Sequence, residues 1–199
     1  MKTTRLHTTI GAMFAAAGIG FAGVAYAANP PLSADAYKAE KDRIDATYKA
    51  DKATCDSLSG NAKDVCQVSA KGKRDVAKAE AEAAHKNTAK ARHDARLAHA
   101  EANYELAKEK CDDLAGNNKD VCMKEAKAAE TRAKADAKVD RVATDTTQTS
   151  VKKVADAKQE AAEDKRDADY KVAVEKCDAL AGAPKDACVK DAKVKFGKT

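Results

Sequence analysis

The sequence has no tryptophan, three phenylalanines and only three prolines in 199 residues. Beyond residue 27 it also lacks any long apolar run. From there on, Val, Ile, Leu, Met, Phe and Tyr together supply 25 of 172 residues, whereas alanine alone supplies 40. So little bulky apolar material excludes a thick globular core. Nor does any later segment approach the about 20 consecutive apolar residues of a membrane-spanning helix, so no transmembrane segment is predicted in the mature chain. Excess charge of one sign is missing too. The net charge is +5, and both signs alternate along the whole length. There is therefore no basic block interleaved with aromatics of the kind that marks a nucleic-acid footprint, and nucleic acid is not expected as a partner. Few large apolar residues can signal disorder, but disorder usually goes with high net charge or abundant proline and glycine. Abundant instead are alanine, lysine, glutamate and arginine, all strong helix formers. The composition predicts an all-α protein of long helices packed through narrow alanine seams.

The first 27 residues read as a secretory signal. Lys2 and Arg5 make a charged start, Ile10 to Val24 is apolar or small, and Ala25-Tyr26-Ala27 is a small-x-small cleavage site. The mature chain is expected to begin at Ala28, with a short linker over 28–33. The alanine-rich signal is bacterial in style, so the expected location is the periplasm, an oxidising compartment. Losing Lys2 and Arg5 leaves the rest close to charge balance.

Comparing the chain with itself gives its sharpest signal. Tyr48-KADKAT-Cys55-DSLSGNAKDV-Cys66 recurs as Tyr104-ELAKEK-Cys111-DDLAGNNKDV-Cys122 and as Tyr170-KVAVEK-Cys177-DALAGAPKDA-Cys188. Chance does not produce such spacing three times. Each copy reads as helix, tight turn, helix. Leu97, Tyr104 and Cys111 lie a heptad apart, with Ala100, Ala107 and Leu114 in the companion positions of one apolar stripe. Copy one repeats the stripe with Tyr37, Ile44, Tyr48, Cys55 and Leu58. In copy three Glu163 and Arg166 would fall on it, so the upstream helix there is expected to shift phase. Gly60, Gly116 and Gly182 are expected to end the first helix of each pair in the left-handed conformation. Asn61 and Asn117 are expected to cap the second, with Asp64, Asp120 and Asp186 in its first turn and Pro184 at its first position.

That turn puts the two cysteines of each copy on opposite arms of an antiparallel hairpin. Six cysteines at one repeated spacing in an exported chain predict three local disulfides, Cys55 to Cys66, Cys111 to Cys122 and Cys177 to Cys188. The segments HKNTAKARH (His85 to His93) and TDTTQTS (Thr144 to Ser150) interrupt the helical pattern; the second is poor helix interior and supplies good caps. The chain then divides into hairpin repeats over 34–87, 88–145 and 146–199. Alternatively the arms between turns run on as continuous helices of about 45 residues.

No catalytic, metal or cofactor site is expected. Structural zinc sites use close ligand pairs that are absent here, and His85, His93 and His99 read as solvated. Ten residues between cysteines is not the Cys-x-x-Cys of a redox centre. No nucleophile with its base and no carboxylate cleft is visible, so the chain is not expected to be an enzyme. Lys63, Lys119 and Lys185 read either as salt bridges to Asp56, Asp112 and Asp178 or, with Asp64, Asp120 and Asp186, as a Lys-Asp surface offered three times to a partner.

The stretch AKAEAEAAHKNTAKARHDARLAHAEANYELAKEK from residue 77 resembles the helical middle region of TolA. The chain as a whole is similar to small exported proteobacterial proteins labelled TolA-like that share the repeated CDxLxGxxKDxC pattern. The resemblance implies a cell-envelope context. The expectation is thus an elongated, coiled-coil-like, three-repeat helical scaffold or spacer that meets envelope proteins not identified by sequence, with self-association possible. The alternatives are a stress-related holdase and a soft-metal binder with reduced cysteines.

Overall fold

The computed structural model describes residues 30–145 and 150–198. The expected signal over 1–27 lies outside the described residues, as do positions 28 and 29 of the linker. Six helices follow one another: α1 Ala34–Cys55, α2 Gly60–Lys86, α3 Ala89–Cys111, α4 Gly116–Thr144, α5 Val151–Cys177 and α6 Ala183–Phe196. No strand occurs among the described residues. None of the described helices is long and apolar enough to cross a membrane.

The expected interruptions set the boundaries, so the arms do not run on as single long helices. Asn87 turns left-handed at φ 47 and ends α2, its N–H bonding the Ala83 carbonyl at 2.9 Å. Thr88 then caps α3, its hydroxyl oxygen accepting from the Ala91 N–H at 3.1 Å. Ser33 and Ser150 cap α1 and α5 in the same way, each at 3.2 Å. Such hydroxyls satisfy amides that the first helical turn leaves unpaired.

Helices touch only their neighbours in sequence, so the chain forms a single row in which α2 to α5 each lie between two others. Cross-helix pairs give the direction. Asp45 meets Lys78 at 2.6 Å and Asp51 meets Lys73 at 3.7 Å, so α1 and α2 run antiparallel. Equivalent pairs are His99 with Glu80 at 2.7 Å, Arg96 with Asp140, Lys138 with Glu160 at 2.5 Å, Lys176 with Glu125 at 2.6 Å, and Lys198 with Asp167. All five junctions therefore reverse the chain. The three cysteine turns lie at one end of the row and the two other connections at the opposite end.

The core is a set of alanine seams. Among the described residues, the buried apolar ones other than alanine are Ile44 and three cysteines, Cys55, Cys111 and Cys177. A helix with a neighbour on each side must bury two opposite stripes. In α4, Ala126 and Ala137 lie on one side and Ala128 and Ala135 on the other. In α2, Ala70 and Ala81 face away from Gly72 and Ala83, which approach α3. At Gly72 the helices come so close that an added Cβ would sit 3.1 Å from that of Ala102. Spacings of seven and of eleven residues occur together. A strict seven winds a supercoil to the left and a strict eleven to the right, so the mixture selects neither hand. In α5 the seam runs through Ala157, Ala161 and Ala168, leaving Glu163 and Arg166 exposed, which is the expected phase shift.

Candidate functional site

The repeated feature is the stapled turn. The first helix of each pair stops at the cysteine itself, five residues before the glycine. Asp56, Asp112 and Asp178 bond back to the carbonyls of Ala53, Glu109 and Glu175, and Leu58, Leu114 and Leu180 bond to those of Cys55, Cys111 and Cys177, all within 2.9–3.2 Å. These tight turns end the helix. The chain then extends through Ser59 or Ala115, at φ −140 and −135, and enters the next helix through Gly60, Gly116 or Gly182 at φ 55, 55 and 61. All three glycines take positive φ but open the second helix rather than close the first, and Gly182, at ψ −145, lies outside the left-handed helical conformation expected of it. The positive-φ turn is what swings an extended chain onto the new helix axis, and glycine adopts it without a Cβ penalty.

Two further expectations are corrected here. No side-chain capping bond forms at the start of α2 or α4, and Asn61 Nδ2 is buried without a hydrogen-bond partner. Asn61 and Asn117 are already inside the helix, past the position from which a side chain can cap it. In copy three Gly182 stands at the cap, so Pro184 is the second helical residue, where its missing N–H still costs nothing. Second, Leu58 and Leu114 are not on the buried stripe. They and Leu180 are 42%, 42% and 44% exposed, because the helix ends before it can carry them onto the seam.

Three disulfides close the turns: Cys55–Cys66, Cys111–Cys122 and Cys177–Cys188, with Cα separations of 5.5, 5.7 and 5.7 Å. The first cysteine of each pair is completely or almost completely buried. The lysines pair across the turn, Lys63 with Asp56 at 3.5 Å, Lys119 with Asp112 at 2.8 Å and Lys185 with Asp178 at 3.0 Å. The carboxylate raises the pKa of Lys119 through a hydrogen bond. With each lysine turned onto its aspartate, each tip exposes its leucine together with both aspartates, Asp56 and Asp64, Asp112 and Asp120, or Asp178 and Asp186.

Behind the tips, each repeated tyrosine locks its hairpin. The Arg74 guanidinium lies 4.3 Å from the Tyr48 ring centre and the Lys127 ammonium 5.0 Å from that of Tyr104. Phe196 takes the equivalent place edge-on to Tyr170 at 6.2 Å.

The three histidines are not merely solvated. His85 stacks on Tyr37 at 4.6 Å and its Nδ1 lies 2.7 Å from the Leu32 carbonyl oxygen, while the Leu32 N–H bonds the Ala84 carbonyl. His93 Nδ1 is 3.1 Å from the Ala137 carbonyl oxygen, and His99 reaches Glu80. Because a carbonyl only accepts, Nδ1 carries the proton in His85 and His93. Each ring thus ties neighbouring segments together, a use that depends on register and leaves no mark in the sequence.

One buried charge also escaped sequence reasoning. Glu130 is 6% exposed and takes ion pairs from Lys127 at 2.7 Å and Lys134 at 2.6 Å. Burial pushes its pKa up, but the two ammonium groups outweigh that and hold it below the ordinary carboxylate value. Its signal was the Lys-x-x-Glu-x-x-x-Lys spacing, indistinguishable from many solvated pairs nearby. A groove at the end opposite the tips runs along α4 between α3 and α5, with Leu97 and Val142 among its lining and Lys138 and Arg141 beside them. Among the described residues no three His, Cys, Asp or Glu side chains gather where they could hold a metal.

The fold and its repeated turn define a disulfide-stapled, single-row α-helical meander. No protein-family model, curated protein or solved structure matches this chain. The three disulfides fit a secreted protein.

Proposed function

We propose that the chain is exported to the periplasm through a cleaved signal over residues 1–27 and acts there as a non-enzymatic, TolA-like helical scaffold or spacer of the cell envelope. One observation carries this proposal: the same stapled tip is presented three times along one end of a single row of helices. A row with no second layer encloses little, and its two broad faces are covered by charged side chains. At interaxial distances of about 8–10 Å, tips on every second helix recur roughly every 16–20 Å, a ruler suited to an extended or repetitive contact.

A photo-activatable crosslinking residue at Leu58, Leu114 or Leu180, compared with one at Lys71 or Glu101 on helix faces, tests the proposal in cells. The expected result is adducts with envelope proteins, or with further copies, from the tips only. Adducts only from the helix faces, or none at all, would sink it. A holdase would require a broad apolar face. The exposed large apolar residues among those described are instead separate: Leu58, Leu114, Leu180, Val151 and Val194. Soft-metal binding would require reduced cysteines, whereas all six are paired.

A further inference from the structure

The two ends of the row differ in charge. Between their cysteines the three tips carry seven carboxylates against three lysines, in a chain whose net charge is +5. Those lysines are tied to Asp56, Asp112 and Asp178, so each tip offers an exposed leucine with an exposed aspartate a few residues on. At the opposite end, the groove along the last turns of α4 combines apolar and cationic groups. Leu97 and Val142 provide apolar lining, and His93, four cationic residues, Lys134, Lys138, Arg141 and Lys153, and one carboxylate, Asp145, surround them. His93 is held by its bond to the Ala137 carbonyl. Lys134 and Lys138 already meet Glu130 and Glu160, yet remain 46% and 48% exposed, and Arg141 is exposed.

We propose that this groove receives the stapled tip of a second copy, leucine against Leu97 and Val142 and the second aspartate toward Arg141. This rests on the scaffold proposal and names the chain itself as one partner of its tips. Charge complementarity selects the arrangement. A tip-to-tip contact would oppose like charges, which costs affinity, whereas tip-to-groove joins opposite ones. Because tip and groove lie at opposite ends of one molecule, the contact is head-to-tail and does not close on itself, and with three tips to each groove copies can keep adding. A single tip in a single groove buries less than the roughly 1,000 Å² of a stable interface, so association is weak and concentration-dependent.

Sedimentation of the mature protein from micromolar concentrations to about 1 mM reads this directly, since such contacts fall in that affinity range. The weight-average mass is expected to rise with concentration and to fall back in about 1 M salt, where screening reaches within about 3 Å. A tip variant, L58S/L114S/L180S with D64N/D120N/D186N, and a groove variant, R141E, are each expected to stay monomeric. Circular dichroism and non-reducing mass spectrometry check that their helices and disulfides are intact. Mixed together, each supplies the half the other lacks, and complexes of one groove variant with up to three tip variants, growing no further, are expected. Wild-type protein that stays monomeric, a tip variant that still assembles, or a mixture that stays monomeric would each overturn the inference. Tip-specific crosslinks to other envelope proteins from a monomeric chain would do so too, while leaving the scaffold proposal standing.

Discussion

At the scale of single residues, the glycines and Glu130 carry the clearest consequences. Gly116 sits at φ 55 with nothing within 4 Å of where a Cβ would be, so a side chain there meets no clash but does meet backbone strain. Gly116→Ala is expected to cost about 1–2 kcal/mol, read as a lowered melting temperature with the disulfide unchanged. Glu130 has a folded pKa below its ordinary value of 4.5, set by burial opposed and outweighed by Lys127 and Lys134. Its contribution is therefore present above the unfolded pKa and lost as pH falls through the folded one. Glu130→Gln is expected to lose about 1–2 kcal/mol at pH 7 and progressively less below pH 4, measured as the gap in urea midpoints between variant and wild type. Glycine at the turn was legible, because few other residues tolerate that backbone. Glu130 was not, because whether a carboxylate at that spacing is buried depends on which neighbour lies over it.

At the scale of elements, hairpins are held by alanine contacts, ion pairs, one tyrosine contact and one staple each. Closing a loop of about a dozen residues contributes on the order of 2–3 kcal/mol, a large share for seams this thin. Cys111→Ser with Cys122→Ser is expected to lose about that much, with faster amide exchange confined mainly to α3, α4 and their turn. The close approach of α2 and α3 makes Gly72→Leu an overpacking change of about 1–3 kcal/mol, checked by thermal melting. The third hairpin is uneven, with α6 at 14 residues against 27 in α5. The N-terminal half of α5 consequently has a neighbour on one side only. Its amides, from about Val154 to Glu163, are expected to exchange faster than those from Ala168 to Cys177, a difference hydrogen-exchange mass spectrometry would resolve. Helix identity and the breaks near residues 87 and 145 followed from composition and capping residues. The leucine positions did not: extending the heptad one step past each cysteine put Leu58 and Leu114 on a seam that the helix never reaches.

At the scale of the whole molecule, the row is assembled from contacts between sequence neighbours alone. Such local topology favours fast folding, since little chain must be closed into long loops before contacts form. It also means each hairpin meets the next through one alanine face, so strain or damage in one repeat has only the adjoining seam through which to spread. Under a thiol reductant, the protein is expected to keep most of its helical signal near room temperature while its melting temperature drops and its transition broadens. A complete loss of helix on reduction would show instead that the staples, and not the alanine seams, hold the row together.

The sequence by itself determined what is local and repeated: helices from alanine, lysine and glutamate, a reversal wherever a glycine follows a cysteine, and a disulfide at each such reversal. Those features are decided within about a dozen residues, where backbone propensity and loop closure dominate. Only the tertiary structure decided that the hairpins lie side by side in one row, that the leucines end outside the seam, that three histidines tie neighbouring segments, and that an acidic, leucine-bearing end stands opposite a cationic groove. Alanine is the reason. Its small side chain packs at many registers and on two opposite helix faces at once, so the pattern does not say which face meets which neighbour until the neighbours are in place.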